Sequence, residues 1–292
     1  LAFSNLKNAQ KEFGLVRMGG TVGWMLASWP LYFILQGLTG AAAVAASRNI
    51  FLVAGIASLL LAAFSLTLPH TPAKKVEGEA HFAWLRAFAF LGKPFLLILF
   101  IVTFIDATIH NGYFLMADGF LKSVGIKPEW VMPVMSIGQI AELLTMAMLG
   151  KALTRLGWKT TMIIGILGHA ARYAVFAYMP TSQPMIIAVQ VLHGICYAFF
   201  FATLYIFIDA AFPKDVRSSA QGLFNLLVLG LGDLAAKWLF FPLQASLTVD
   251  GVTDYKQLFL VPTGMALVAA VLLLFFFSPP KELSTKDIEV GH

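Results

Sequence analysis

Residues 131–161 read VMPVMSIGQIAELLTMAMLGKALTRLGWKTT. The stretch opens as an apolar helix, carries a single acid, Glu142, near its middle, and ends in a short basic loop. A carboxylate at mid-membrane depth costs several kcal/mol unless it faces a polar cavity or a partner, so by default it marks a functional site. Gln139 lies three residues earlier and therefore shares its helix face.

The composition around this stretch is that of a polytopic membrane protein. The chain is 59% hydrophobic and 12% charged, whereas soluble domains are about a quarter charged. Eight apolar segments are long enough to span a bilayer core of roughly 30 Å. They cover residues 19–38, 49–68, 93–116, 131–150, 159–178, 184–208, 218–243 and 257–278. Fourteen Lys and Arg residues, from Lys7 to Lys286, fall in loops on one side. Four, Arg48, Lys122, Lys127 and Lys256, fall on the other. Basic residues mark the cytoplasmic face, so both ends of the chain are expected there, with a net charge of +5 that needs no nucleic-acid partner. The lone Cys196 excludes an internal disulfide. The chain opens on Leu1 with no signal-peptide pattern, which suggests that further spans precede it.

The longest break between spans, PHTPAKKVEGEAHFAWLRAFAFLGK (69–93), is polar and then amphipathic. It reads as a cytoplasmic connector at the membrane surface. Two spans before it and six after it match the end of one six-helix half and all of a second in a major facilitator transporter. The expected organisation is therefore 1–68, the last two spans of the N-terminal half; 69–92, the connector; 93–279, the complete C-terminal half; and 280–292, a cytoplasmic tail.

Polar residues inside the spans are the candidates for function. Arg17, Thr21 and Trp24 in VRMGGTVGW share a face and offer a cation, a hydroxyl and an aromatic ring to a polar solute; alternatively, Arg17 only anchors the helix at the interface. In TFIDATIHNGYF, Asp106 and His110 are four apart and could pair structurally or serve a proton route. Thr108 and Asn111 lie beside them. Glu142 faces either a solute or proton, or a cation such as Arg172. His169 and Arg172 read as structural, with Arg172 neutralising an acid from another helix. His193 and Tyr197 share a face, as core or as site. Asp233 and Lys237, four apart, are expected to pair with each other, and Asp209 to meet Lys214 or Arg217. No HExxH, G-x-S-x-G, P-loop or Cys–His cluster is present. The reading is a transporter rather than an enzyme, with no cofactor or metal.

Two resemblances follow from these residues. GKALTRLGWKTT (150–161) resembles the cytoplasmic G-x-x-x-D-R-x-G-x-K motif of the major facilitator superfamily. Gly150, Arg155, Gly157 and Lys159 fit it, and Thr154 stands where the acid is usual. VRMGGTVGW, LTLPHTP, the Asn111-Gly112 step, MSIGQIAELL, RYAVFAY, VRSSAQGLF and GVTDY are similar, in order and spacing, to the nucleoside:proton symporter family. That resemblance implies an all-α major facilitator fold with about eight of twelve transmembrane helices present, in the cytoplasmic (inner) membrane. It implies nucleoside import coupled to protons, with no obligatory oligomer. The family's pocket positions fall on Arg17, Thr21, Asn111, Gln139 and Glu142, which match. Trp24 stands in place of Phe, Thr108 of Gln, His193 of Tyr and Tyr197 of Phe. Ala198 stands where better-known members carry Asp, so either Glu142 and Asp106 are the proton-coupling residues, or coupling uses spans outside this chain, or the chain moves a different solute. A carrier for a sugar or nucleobase, or a non-transporting sensor or scaffold, are the competing readings.

Overall fold

The computed structural model describes residues 9–38, 40–70, 83–213, 216–280 and 282–283. The side chains of residues 9–15, 17, 28, 83 and 84 fall outside that description, and with them the expected role of Arg17. The polar half of the connector (71–82) and most of the tail also lie outside the described residues.

The fold is helical. Helix α1 (Ala9–Leu35) is followed by α2 (Gly40–Ser47) and α3 (Asn49–Ser65), then by a short α4 (Ala83–Ala89) and one 3-10 turn (Phe90–Gly92). Helix α5 (Pro94–Ser123) begins at a proline after the extended Lys93. Helix α6 (Pro128–Tyr178) begins in the same way after Lys127. Proline suits the first helical turn because its missing N–H would be unpaired there anyway.

At 51 residues α6 would be about 76 Å long, more than twice a bilayer core. Gly157 breaks it into two arms, with φ 73° and ψ 175°. That left-handed φ suits a residue without a Cβ. The basic loop expected at 151–158 is thus helical up to residue 156, with the whole reversal concentrated at Gly157. Directly after it, Trp158 Nε1 donates to the Leu283 carbonyl at 2.6 Å, and Lys159 Nζ donates to the Leu274 carbonyl at 2.9 Å. Lys159 so satisfies a carbonyl in the last turn of the final helix, where a cation also meets the negative end of the helix dipole.

The next span is built in pieces. Helices α7 (Gln183–Ala188) and α8 (Val191–Cys196), a π-helical turn (Tyr197–Ala202) and α9 (Thr203–Ala211) run in succession. Helix α10 (Arg217–Asn225), a second π turn (Leu226–Leu231) and α11 (Gly232–Ser246) make another. A two-residue hairpin, Thr248–Val249 against Val252–Thr253, turns on Asp250 (φ 49°) and Gly251 (φ 79°), as tight hairpins require. This hairpin is a small departure from an all-α chain. The Asp254 side chain then accepts from the Gln257 N–H at 3.0 Å and caps α12 (Tyr255–Phe276).

Six helical stretches among the described residues are long and apolar enough to cross a membrane: 40–65, 94–123, 128–178, 183–211, 217–246 and 255–276. The expected segment at 49–68 therefore starts earlier, because 40–47 is already helical. The core lies among α5, α6, the α7–α9 stretch and α12, where Phe120, Phe176 and Phe259 meet with ring centroids 4.8–5.4 Å apart. In α2 and α3 no residue is buried. Asp233 and Lys237 pair at 2.6 Å, and Asp209 meets Arg217 at 3.2 Å, both as expected.

Candidate functional site

One cavity of about 170 Å³ lies where α1, α5, the first arm of α6 and the α8–π junction converge. Helix α1 contributes Gly20, Thr21 and Trp24. Helix α6 contributes Gln139 and Glu142. His193 and Tyr197 come from α8 and its π turn, and His110 and Phe114 from α5. Thr21 and Trp24, Gln139 and Glu142, and His193 and Tyr197 each share a face, because each pair is three or four residues apart.

The convergence depends on a close helix crossing. A Cβ on Gly194 would overlap the backbone of Ala141 and Glu142. The missing side chain lets α8 lie directly against α6, which brings His193 and Glu142 to the same wall. Thr21 Oγ1 donates to Glu142 Oε1 at 2.8 Å, with both residues buried. A hydrogen bond to a charged acceptor contributes about 1.5–3 kcal/mol. It ties α1 to α6 across a sequence separation of 121 residues.

A second polar layer lies behind the His193 wall. Arg172, fully buried, donates from one terminal nitrogen to His193 Nδ1 at 2.7 Å and from the other to His169 Nδ1 at 3.3 Å. Its guanidinium carbon lies 4.0 Å from the Tyr113 ring centroid. His169 Nε2 faces Asp106 Oδ2 at 3.7 Å. Tyr113 donates to Gln190 Oε1 at 2.8 Å. His110 stacks on His193, with centroids 5.0 Å apart and planes inclined by 20°.

This layer revises three expectations. Asp106 and His110 share a face but do not pair; the partner across from Asp106 is His169, from another helix, and His110 packs on His193. Arg172 bonds to two histidines rather than directly to an acid, and it is not the partner of Glu142. Thr108 and Asn111 do not line the cavity. Asn111 Nδ2 donates to the Ala107 carbonyl at 2.8 Å and to the Val228 carbonyl at 3.1 Å, so it ties α5 to the second π turn. Thr108 Oγ1 returns to the Phe104 carbonyl at 2.8 Å.

One wall residue, Phe114, is absent from the sequence-derived set, and His110, read there only as a partner of Asp106 or part of a proton route, lines the wall beside it. Their spacing of four on one helix was the available signal. Ala198 is buried in the π turn. No cluster that could hold a metal ion is present among the described residues.

Five of the nine lining residues are aromatic or imidazole rings, and the polar groups beside them are the Glu142 carboxylate, the Gln139 amide and the hydroxyls of Thr21 and Tyr197. Such a surface suits a flat polar ring carrying hydroxyls. A protein-family model described as nucleoside H+ symporter matches residues 1–282. The chain belongs to the nucleoside H+ symporter family. It is 29% identical to the putative nucleoside transporter YegT of Escherichia coli K12, over 95% of this chain and 67% of that protein. It is 28% identical to the xanthosine permease of the same organism, over 91% and 65%. With the nucleoside permease NupG it shares 26% identity, over 95% and 69%. The chain spans about two thirds of the length of these curated relatives.

Among solved structures, a single-residue variant of the nucleoside transporter NupG matches with a TM-score of 0.76 at 25% identity, over 95% of this chain and 70% of that one. A double-tryptophan variant of XylE matches with a TM-score of 0.60 at 16% identity, over 96% and 66%, a likeness of fold alone. The fold is that of the major facilitator superfamily, and the family consists of transporters, not enzymes. The family and these relatives together support proton-coupled nucleoside import over carriage of another solute class.

Proposed function

We propose that this chain supplies the solute-binding and proton-coupling face of a transporter that imports nucleosides across the cytoplasmic membrane with protons. The observation that carries the proposal is the buried Thr21–Glu142 hydrogen bond in a wall of aromatic rings. The ribose hydroxyls bond to Glu142 and Gln139, and the base lies against Trp24, Tyr197 and Phe114. Protonation of Glu142 removes a charge and replaces an acceptor by a donor at the cavity wall. That change biases the rocking of two halves around a central site. Asp106 is the second candidate for proton uptake. Both its oxygens are buried and without a hydrogen bond among the described residues. A carboxylate at position 198 has no part in this chain.

Residues 1–68 then form the last two spans of an N-terminal half and 93–279 a complete C-terminal half. Both ends of the chain lie on the cytoplasmic side, following the Lys and Arg asymmetry. Gly150, Arg155, Gly157 and Lys159 form the switch segment, with Lys159 linking the Gly157 break to the end of α12. The test is Glu142→Gln. Proton-driven uridine accumulation is lost while equilibrative uridine exchange persists; unchanged accumulation would remove Glu142 from the coupling role.

A further inference from the structure

Arg172 settles a question that imidazole geometry otherwise leaves open, namely which ring nitrogen of His193 carries the proton. A guanidinium has only donors and keeps its charge in proteins. Both terminal nitrogens of Arg172 point at imidazole Nδ1 atoms, at 2.7 Å for His193 and 3.3 Å for His169. A donor facing a ring nitrogen at that distance requires a lone pair there, so both Nδ1 atoms are unprotonated and each neutral ring carries its hydrogen on Nε2. In His169 that hydrogen points toward Asp106. In His193, Nε2 is the nitrogen left for the cavity that His193 lines.

We propose that Arg172 is a positioning residue that locks His193 in the Nε2–H tautomer, so that His193 presents an obligate donor to the solute and selects an acceptor on it. This rests on the nucleoside reading only for the kind of acceptor, a carbonyl or ring nitrogen of the base or a ribose oxygen. Flipping the ring would give up its hydrogen bond from Arg172. The ring stacks on His110 and lies 5.1 Å from the Tyr113 ring and 5.5 Å from the Phe114 ring, centroid to centroid. Its own helix is held against α6 at Gly194. The other ionisable groups around it are His110 and Tyr113 from α5, His169 from the second arm of α6, Glu142 from the first, and Tyr197 from the π turn that follows its own helix. None of them competes for Nδ1, which Arg172 occupies. A buried site that offers a fixed donor discriminates against solutes lacking the matching acceptor, because the donor is then left unpaired.

The test is nitrogen-15 NMR of the protein labelled in histidine, with the His193 signals assigned by their loss in His193→Gln. The expected result is an unprotonated Nδ1 and a protonated Nε2 in the wild type. In Arg172→Leu this gives way to mixed tautomers, and Arg172→Lys, which keeps a donor, restores it in part. A protonated Nδ1 in the wild type overturns the proposal. The second readout is uptake of uridine analogues, each lacking one carbonyl or ribose oxygen. One analogue is taken up roughly 10–100-fold less well than uridine by the wild type, and this difference disappears in His193→Phe. If every discrimination survives His193→Phe, His193 does not select an acceptor. A wild type that takes up no uridine refutes the nucleoside reading instead and leaves the NMR result to decide the tautomer.

Discussion

Substituting Gly194 by alanine tests whether the helix crossing at Glu142 builds the cavity. The new Cβ would lie 2.7 Å from Glu142 Cα and nearer still to Glu142 N and Ala141 C. Carbon atoms rest at about 3.5–4.0 Å, so α8 must withdraw from α6 by about 1 Å. Backbone lies on both sides of the contact, and no rotamer change can relieve it. Overpacking of this kind costs about 1–3 kcal/mol. The same displacement moves His193 away from Glu142, and a misplacement of about 1 Å costs on the order of 10²-fold in function where groups must converge. The control is Gly264→Ala in α12, where nothing lies within 4 Å of the added atom; there alanine is expected to leave stability unchanged or raise it by up to about 1 kcal/mol. Thermal unfolding in detergent and labelled uridine uptake in proteoliposomes read the two effects. Gly194→Ala protein with wild-type unfolding and wild-type uptake would refute the crossing as the origin of the site.

Two further substitutions separate site from scaffold. Thr21→Val removes the donor to Glu142 and is expected to raise the KM for uridine by roughly 10-fold or more, with Thr21→Ser close to wild type; equal KM values for the Val and Ser variants would contradict this. Asn111→Ala leaves the Val228 carbonyl without its side-chain donor and is expected to cost about 1 kcal/mol of stability with KM nearly unchanged; a 10-fold rise in KM at unchanged thermal stability would return Asn111 to the pocket.

Much of this arrangement was legible in residue spacing. Intervals of three and four put Thr21 with Trp24, Gln139 with Glu142 and His193 with Tyr197, and all six line the cavity. The motif around Gly157 marked the break between two spans. Spacing reports which residues share a face but not what the face meets, and this is where the reading departed from the structure. Asp106 and His110 are neighbours on α5, yet His169 from the other side of a helix contact faces the acid. Arg172 was expected opposite an acid, but two imidazole nitrogens reach its guanidinium first. Asn111 and Thr108 had the right residue types for a pocket, but the Asn111 amide N–H groups and the Thr108 hydroxyl donate to backbone carbonyls. The π turns at 197–202 and 226–231 shift the helical register locally, and no composition signal announces them.

The most direct test of the central claim is labelled uridine uptake in transport-deficient cells, measured with and without a protonophore. The expected result is accumulation that collapses when the proton gradient is dissipated, although residue 198 is alanine. Accumulation that survives the protonophore would contradict proton coupling through Glu142 and Asp106.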